Sequence, residues 1–486
     1  MRGPTTTATF SVLISGGTVV DGSGAPAYRA DLGLHGDAIA AIGDLGAAGA
    51  ELTIDARGLT VSPGFVDVHV HSELAILGGR DQLAGVRQGI TTNLLAPDGF
   101  GWAPLEAAPG AELFAYTAPL YGNPRVDTYW PTIDSYLDRF TGATPLNVLP
   151  QVPHCAVRMA VMGWDARHPT AAELSAMEDG TRAWLDAGAG ALCLGLDYQP
   201  SANASFEELV ALCRITAQYG GIYAAHQRYG HLGQRLAWSE TIELSKASGC
   251  PVHASHERVD EVSAAILERV DREGVDLSFE SYLYAAGMTH LQSGLPIHLH
   301  PGGWPAVAQR LRHPGAREQA LAGLDVRIGR GDQFIGFTRS GRYAGRRLDE
   351  VAAAAGKPPA EFAFELLVEE AGMVTLVFPW QSPLEEHEPV IAATVAHPRM
   401  MVASDGVYDI PHPHPRGYGC FAQVLGEFVR ERGLLALPQA VHKMSGFPAQ
   451  RFRVPNRGLI RVGAAADLAL FDAGAIAASA TYEQPL

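Results

Sequence analysis

Lysine is almost missing from this chain of 486 residues: only Lys246, Lys357 and Lys443 occur. Cysteine is scarce as well. The five residues Cys155, Cys193, Cys213, Cys250 and Cys420 are odd in number and widely spaced, which argues against a disulfide framework. No apolar run reaches the length of about 20 residues that a membrane-crossing helix needs. The opening MRGPTTTATFSVLISGGTVV holds no apolar segment long enough for a signal peptide. These absences lead to the expectation of a cytoplasmic protein without a membrane partner. Net positive charge is also lacking. A formal net charge of −16 repels phosphate backbones, so nucleic acid is not expected as a partner. The sequence shows no tandem repeat and no low-complexity tract. A homo-oligomer is compatible with all of this.

What is present is the composition of a large globular enzyme, 47% hydrophobic and 18% charged. The length suits one barrel plus a smaller satellite domain. From Phe10 to Leu59 the texture is that of short strands and tight turns. VLISGGTVVDGSG carries β-branched runs broken by Gly-Gly and Asp-Gly, and ADLGLHGDAIAAIGDL reads as a hairpin around His35-Gly36-Asp37. NRGLIRVGAAADLALFD, near the other end, has the same grain. The reading is one small β domain built from residues 1–60 and 451–486.

Between them, over residues 61–450, short apolar runs alternate with helical stretches of about ten to fifteen residues, the pattern of βα units in a parallel barrel. Eight strands are expected: Gly64–His71, Ile90–Asp98, Asn147–Pro153, Ala191–Tyr198, Gly221–His226, Pro251–His256, Val275–Tyr284 and Arg399–Asp405. The fold class is therefore α/β, a (β/α)8 TIM-like barrel. Residues 287–372 are long for one βα connection and read as an insertion that caps the site.

Chemistry in such a barrel sits at the C-terminal strand ends. The first predicted strand ends in Asp67-Val68-His69-Val70-His71, whose two histidines, two residues apart, point the same way on a strand. The second ends in Asp98, the fifth in His226, the sixth in His256 and the eighth in Asp405. Any one of these has a bland explanation, since a lone buried histidine is commonly a packed core residue and Asp-Gly commonly starts a turn. Together on one barrel face they form a ligand set for a divalent ion, because neutral imidazole and carboxylate suit Zn2+ and similar metals. A bound ion would activate water, and Asp405 beside it would move the proton. Cys193 lies on the fourth strand without a flanking histidine and reads as a small packed residue rather than a nucleophile.

Several segments together resemble the amidohydrolase superfamily and, within it, the D-aminoacylase (N-acyl-D-amino-acid deacylase) family. They are LISGGTVVDGSGAPAYRADLGLHGDAIAAIG, SPGFVDVHVHSE, GAGALCLGLDYQPSANASFEEL, GIYAAHQR, VHASHER, MMVASDG, HPRGYGCFAQVLGEFVRE and NRGLIRVGAAADLALFD. The resemblance implies a metal-dependent hydrolase that cleaves an N-acyl amino acid, with preference for the D form, using one or two zinc ions. It implies that His226 and His256 hold the tighter ion, and that His69, His71 and Asp405 hold the weaker one, with Asp405 also the general base and acid. Tyr198, Arg258, Tyr284 and Arg416 are counted as substrate contacts, Arg416 receiving the carboxylate of a small-molecule substrate. Arg416 has no acidic neighbour in sequence except Asp409, which makes the substrate its expected partner.

Two departures stand out. Where the family reads Asn-Cys-Gly-Phe, with the cysteine a metal ligand, this chain has Pro97-Asp98-Gly99-Phe100. Asp98 is read as a ligand in the cysteine's place, and as an oxygen donor it relaxes zinc preference toward Mn2+ or Co2+. No lysine lies on a predicted strand, so a carboxylated-lysine bridge is not expected. Arg258 stands where many relatives carry lysine. Two other readings fit the same strand ends: a metal-dependent enzyme acting on a cyclic amide or imide, or a related lyase or isomerase, and a non-catalytic metal-binding or ligand-sensing relic, which predicts a broken ligand set.

Overall fold

Alternation along each strand organises the molecule. In the computed structural model, which describes residues 9–79, 83–122, 126–127, 129–329, 331–379 and 384–486, Ala191, Cys193, Ile222, Ala224, Met401 and Ala403 share one inner cluster with Phe452 and Val454. Their neighbours Leu192, Leu194, Tyr223 and Ala225 belong to the outer core beneath the helices. Strands buried on both faces are largely apolar, and alanines are frequent on the inner face, where space is tightest.

The parallel runs are Phe65–Asp67, Ile90–Leu94, Asn147–Leu149 with Val152–Pro153, Ala191–Gly195, Ile222–His226, Val252–Ala254, Leu277–Ser281 and Met400–Val402. They pair in chain order, the first three in one sheet and the rest in a second that begins at Val152–Pro153. The last joins the first where Gly406–Val407 pairs in parallel with Val70–His71 and the Asp405 amide donates to the His69 carbonyl at 2.8 Å. These are the eight strands expected from the sequence, each shorter than its apolar pattern. Capping side chains start the covering helices: Thr170 accepts from the Glu173 amide and Asp260 from the Ser263 amide.

Both chain ends enter a separate sheet, in which Leu468–Phe471 runs antiparallel to Thr60–Pro63. There Tyr28–His35 and Ala38–Gly43 form the hairpin around Gly36, whose φ of +57° suits the tight turn. Residues between the seventh and eighth barrel strands build their own unit. Ala286–His290, Val374–Pro379 and Phe334–Thr338 make an antiparallel sheet. Helices Gly303–Leu311, Pro314–Ile328 and Pro359–Glu369 pack on a core that includes Leu295, Leu324, Ile335 and Leu367. Among the described residues, no helix is long and apolar enough to cross a membrane.

Candidate metal centre

Period two carries chemistry to the inner face. His226 continues the inward positions Ile222 and Ala224, and Asp405 continues Met401 and Ala403. Where strands end, the backbone bends to aim side chains: Asp98, His256 and Asp405 have φ of +54°, +43° and +47°. Such left-handed backbone is unfavourable for non-glycine residues and is held in place by its surroundings. Gly99 makes the bend after Asp98 feasible. It has φ of +69°, and a Cβ there would lie 2.3 Å from the Cys193 carbonyl oxygen.

The six predicted ligands are brought together. His71 Nε2 lies 3.3 Å and His69 Nε2 3.7 Å from Asp405 Oδ1. Asp98 divides its oxygens, Oδ1 at 3.6 Å from His69 Nε2 and Oδ2 at 3.8 Å from His71 Nε2. His226 Nδ1 faces His256 Nε2 at 2.9 Å. Donor atoms of His69, Asp98 and His256 converge within 4.8 Å, as do those of His69, His71 and Asp405.

These residues fit a divalent ion. His69 Nε2 and Asp98 Oδ1 are buried with no hydrogen-bond partner, a costly state unless something binds there. Burial pushes the His69 pKa down, yet Asp98 and Asp405 pull it well above its ordinary value, so the local field favours a cation. Burial would raise the Asp98 carboxyl, but His69 brings it to about 2. Burial and the neighbouring His226 lower His256 to about 4, leaving the neutral imidazole that a metal requires.

Two carboxylates that sequence reasoning missed stand behind the histidines. Glu280 Oε1 lies 2.9 Å from His69 Nδ1, its Oε2 lies 2.6 Å from His253 Nε2, and the His256 amide donates to it at 3.0 Å. Burial opposes its charge, but His253 and His69 hold it well below the usual carboxylate range. Asp197 Oδ2 lies 3.2 Å from His226 Nε2, on the ring edge away from His256. Carboxylates so placed orient metal-ligating imidazoles. Glu280 near the end of the strand run VDLSFES, and the acid just before Tyr198, were the available signals.

The strand-end histidines open onto a cavity of about 630 Å3, lined also by Tyr198, Tyr282 and residues of the insertion. Tyr198 packs its ring 4.8 Å from that of His226, and its hydroxyl meets Thr289 Oγ1 at 3.0 Å. Arg258 reaches a neighbouring cavity of about 330 Å3, with its guanidinium 5.4 Å from the Tyr282 ring centroid and Nη2 bonded to the Tyr284 carbonyl.

Two expectations are corrected. Tyr284 does not line the main cavity; its ring packs 5.3 Å from His414, and Tyr282, two residues earlier, faces the cavity instead. Arg416 does not hang free for a two-toothed substrate contact. Its Nη2 lies 2.8 Å from Asp405 Oδ2, its Nε donates to the Asp405 carbonyl at 2.6 Å, and its guanidinium stacks 4.2 Å over Tyr282. The ten residues between the two fold back, so the partner came from Asp405 itself rather than from Asp409 or substrate. Only Nη1 is left without a hydrogen bond.

None of the three lysines lines the cavity. Lys246 pairs with Glu273 at 3.1 Å, Lys357 with Glu365, and Lys443 donates to the Met400 carbonyl at 3.1 Å. Cys193 is buried in the inner cluster, where burial pushes its thiol far above the usual range.

Residues 52–484 match the amidohydrolase family. The chain belongs to that family. It is 34% identical to the D-aminoacylase of Alcaligenes xylosoxydans xylosoxydans, over 98% of this chain and 91% of that protein. It is 33% identical to the N-acyl-D-glutamate deacylase of the same organism, over 98% and 90%. The crystal structure of the N-acyl-D-glutamate deacylase of Bordetella bronchiseptica, complexed with zinc and a phosphonate mimic of the tetrahedral intermediate, superposes with a TM-score of 0.83. It shares 31% identity and covers 98% of this chain and 93% of that one. Amidohydrolase membership and the barrel agree with the resemblance read from the sequence.

Proposed function

We propose that this amidohydrolase cleaves the amide bond of N-acyl-D-amino acids, releasing a carboxylate and a free amino acid. The observation that carries the reading is the convergence of His69, His71, Asp98, His226, His256 and Asp405 on one end of a cavity, with buried donor atoms unsatisfied. Deacylases of D-amino-acid substrates at 33–34% identity along nearly the whole chain support it. The ligand set would hold one or two ions, zinc above all, with Mn2+ or Co2+ admitted by the oxygen of Asp98. When bound, the ion supplies water reactive near neutral pH and polarises the scissile carbonyl.

The chain's own residues do the rest. Asp405 Oδ1 points to the histidines and is the base that takes the proton of the attacking water and returns it to the leaving nitrogen. Arg416 holds the other oxygen at 2.8 Å, which fixes the rotamer and keeps the carboxylate charged. Burial keeps the Tyr198 phenol protonated, so its hydroxyl can donate to charge that develops on the carbonyl oxygen. Arg416 Nη1, with Arg258 beside the same Tyr282 ring, supplies the positive charge that the substrate α-carboxylate would meet. A cytoplasmic setting is supported by five buried, free cysteines, which suit a reducing compartment.

The test is a hydrolysis assay of metal-loaded protein on N-acetyl-D-methionine, its L enantiomer and a cyclic imide. Turnover of the D compound alone, lost on chelation and restored by zinc, is expected. Turnover of the imide without any acyl-amino-acid cleavage would overturn the reading in favour of the cyclic-amide class.

A further inference from the structure

A buried chain of four polar side chains lies outside the metal centre. His154 and Arg158 stand at i and i+4 on helix His154–Met162 and so share one face. His154 Nδ1 lies 2.8 Å from Ser201 Oγ, and its Nε2 lies 3.0 Å from Glu208 Oε1. Arg158 Nη1 pairs with the other Glu208 oxygen, and its Nη2 donates to the Arg167 carbonyl at 2.8 Å. With Glu208 accepting from Nε2, the neutral ring has Nδ1 left to accept the Ser201 proton. Serine, histidine and carboxylate in series have the connectivity of a nucleophile and its base. Yet all four residues are buried, and none of them lines either cavity at the strand ends. No substrate reaches Ser201 Oγ, so the set acts on its neighbours.

What Ser201 holds is the turn that follows the fourth barrel strand. That strand ends at Gly195, so Asp197 and Tyr198 lie beyond its ladder and are placed by the turn. The Ala202 amide, next to Ser201, donates to the Tyr198 carbonyl at 2.7 Å. The Gln199 amide donates to the Tyr116 hydroxyl at 3.0 Å, and Arg228 Nη2 donates to the Ala204 carbonyl at 3.0 Å. Burial opposes the charge of Glu208, but His154 and Arg158 hold its carboxyl below the ordinary value. A buried ion pair adds little net stability over apolar residues of the same volume. Its contribution here is direction: Glu208 fixes the imidazole, and the imidazole fixes the Ser201 hydroxyl.

We propose that Ser201, His154, Glu208 and Arg158 are positioning residues for the hydrolysis. Through the turn they aim the Tyr198 hydroxyl at the scissile carbonyl and keep the Asp197 carboxylate behind His226. The role of Tyr198 rests on the deacylase reading; that of Asp197 rests on the metal centre alone.

The experiment introduces Ser201→Ala into two backgrounds, wild type and Tyr198→Phe, with N-acetyl-D-methionine as substrate at saturating zinc. In wild type the change should lower kcat about tenfold with KM within about twofold, since the contact being aimed is made in the transition state. In the Tyr198→Phe background it should cost less than about twofold, because the aimed group is already gone. A second readout needs no substrate. Competition with a chelator should show zinc held about threefold to tenfold more weakly in Ser201→Ala, through Asp197 and His226. Ser201→Cys, similar in shape and a weak hydrogen-bond partner, carries both expectations if the alanine variant is insoluble. Equal losses of kcat in the two backgrounds would reduce the chain to a structural staple and overturn the proposal, as would zinc retention unchanged from wild type. No turnover of any N-acyl-D-amino acid by the wild-type protein would instead sink the deacylase reading, and zinc retention would then decide whether the chain positions Asp197.

Discussion

The two walls of the cavity are built by different means. The strand-end wall consists of side chains at the tips of a parallel barrel, each locked by a partner behind it: Glu280 on His69, Asp197 on His226, Arg416 on Asp405. The opposite wall comes from the insertion, which has a core of its own and contributes Thr289, Leu295, His300, Arg327 and Phe378. The first wall is rigid because its groups are buried, charged and mutually bonded. The second packs also on helix Ala107–Tyr121 and meets Tyr198 through Thr289, but it contributes none of the six candidate metal ligands. Reaction and selectivity are thus assigned to separate structures, as expected when function lives in loops on a stable scaffold.

Breaking the first wall should give the largest effects. Asp405→Asn keeps the shape and removes the proton acceptor, so kcat should fall about 10^2–10^4-fold with little change in KM. Steady-state kinetics at saturating metal will measure it, and a near-normal kcat would assign the base elsewhere. Glu280→Gln should act one step removed. It should weaken metal binding about 10–100-fold, read by competition with a chelator, while kcat recovers when metal is supplied in excess. Failure to recover would mean that Glu280 acts on the reaction itself. The smallest effect should come from the second wall. Thr289→Val removes the hydroxyl that meets Tyr198 at 3.0 Å. A hydrogen bond of about 1 kcal/mol translates into a change of about fivefold in kcat/KM, with metal content unchanged. Metal loss in that variant would show that the two walls are not independent.

Much of the strand-end wall was legible in the sequence. His69, His71, Asp98, His226, His256 and Asp405 each end an apolar run, and period two tells which way such a residue faces. The residues that were missed or misplaced share one property: their surroundings are set by tertiary contacts that strand alternation does not report. Glu280 is 211 residues from His69. Tyr282 and Tyr284 both lie beyond Ser281, where the strand ends, so alternation does not tell which ring faces the cavity. Arg416 looked unpaired because Asp409 was the nearest acid along the chain, while the loop returns it to Asp405.

The sequence by itself determined the barrel, its strand order and the face that carries the candidate metal ligands, because those depend on local periodicity and on what ends each strand. Tertiary structure alone decided which carboxylate backs which histidine, that Arg416 is bound to Asp405, and that Arg327 lines the same cavity as His71, His226 and His256. These are matters of distance between segments that no local pattern relates. Electrostatic and hydrogen-bond energies fall off over a few ångströms, so they are set only once the fold has brought those segments together.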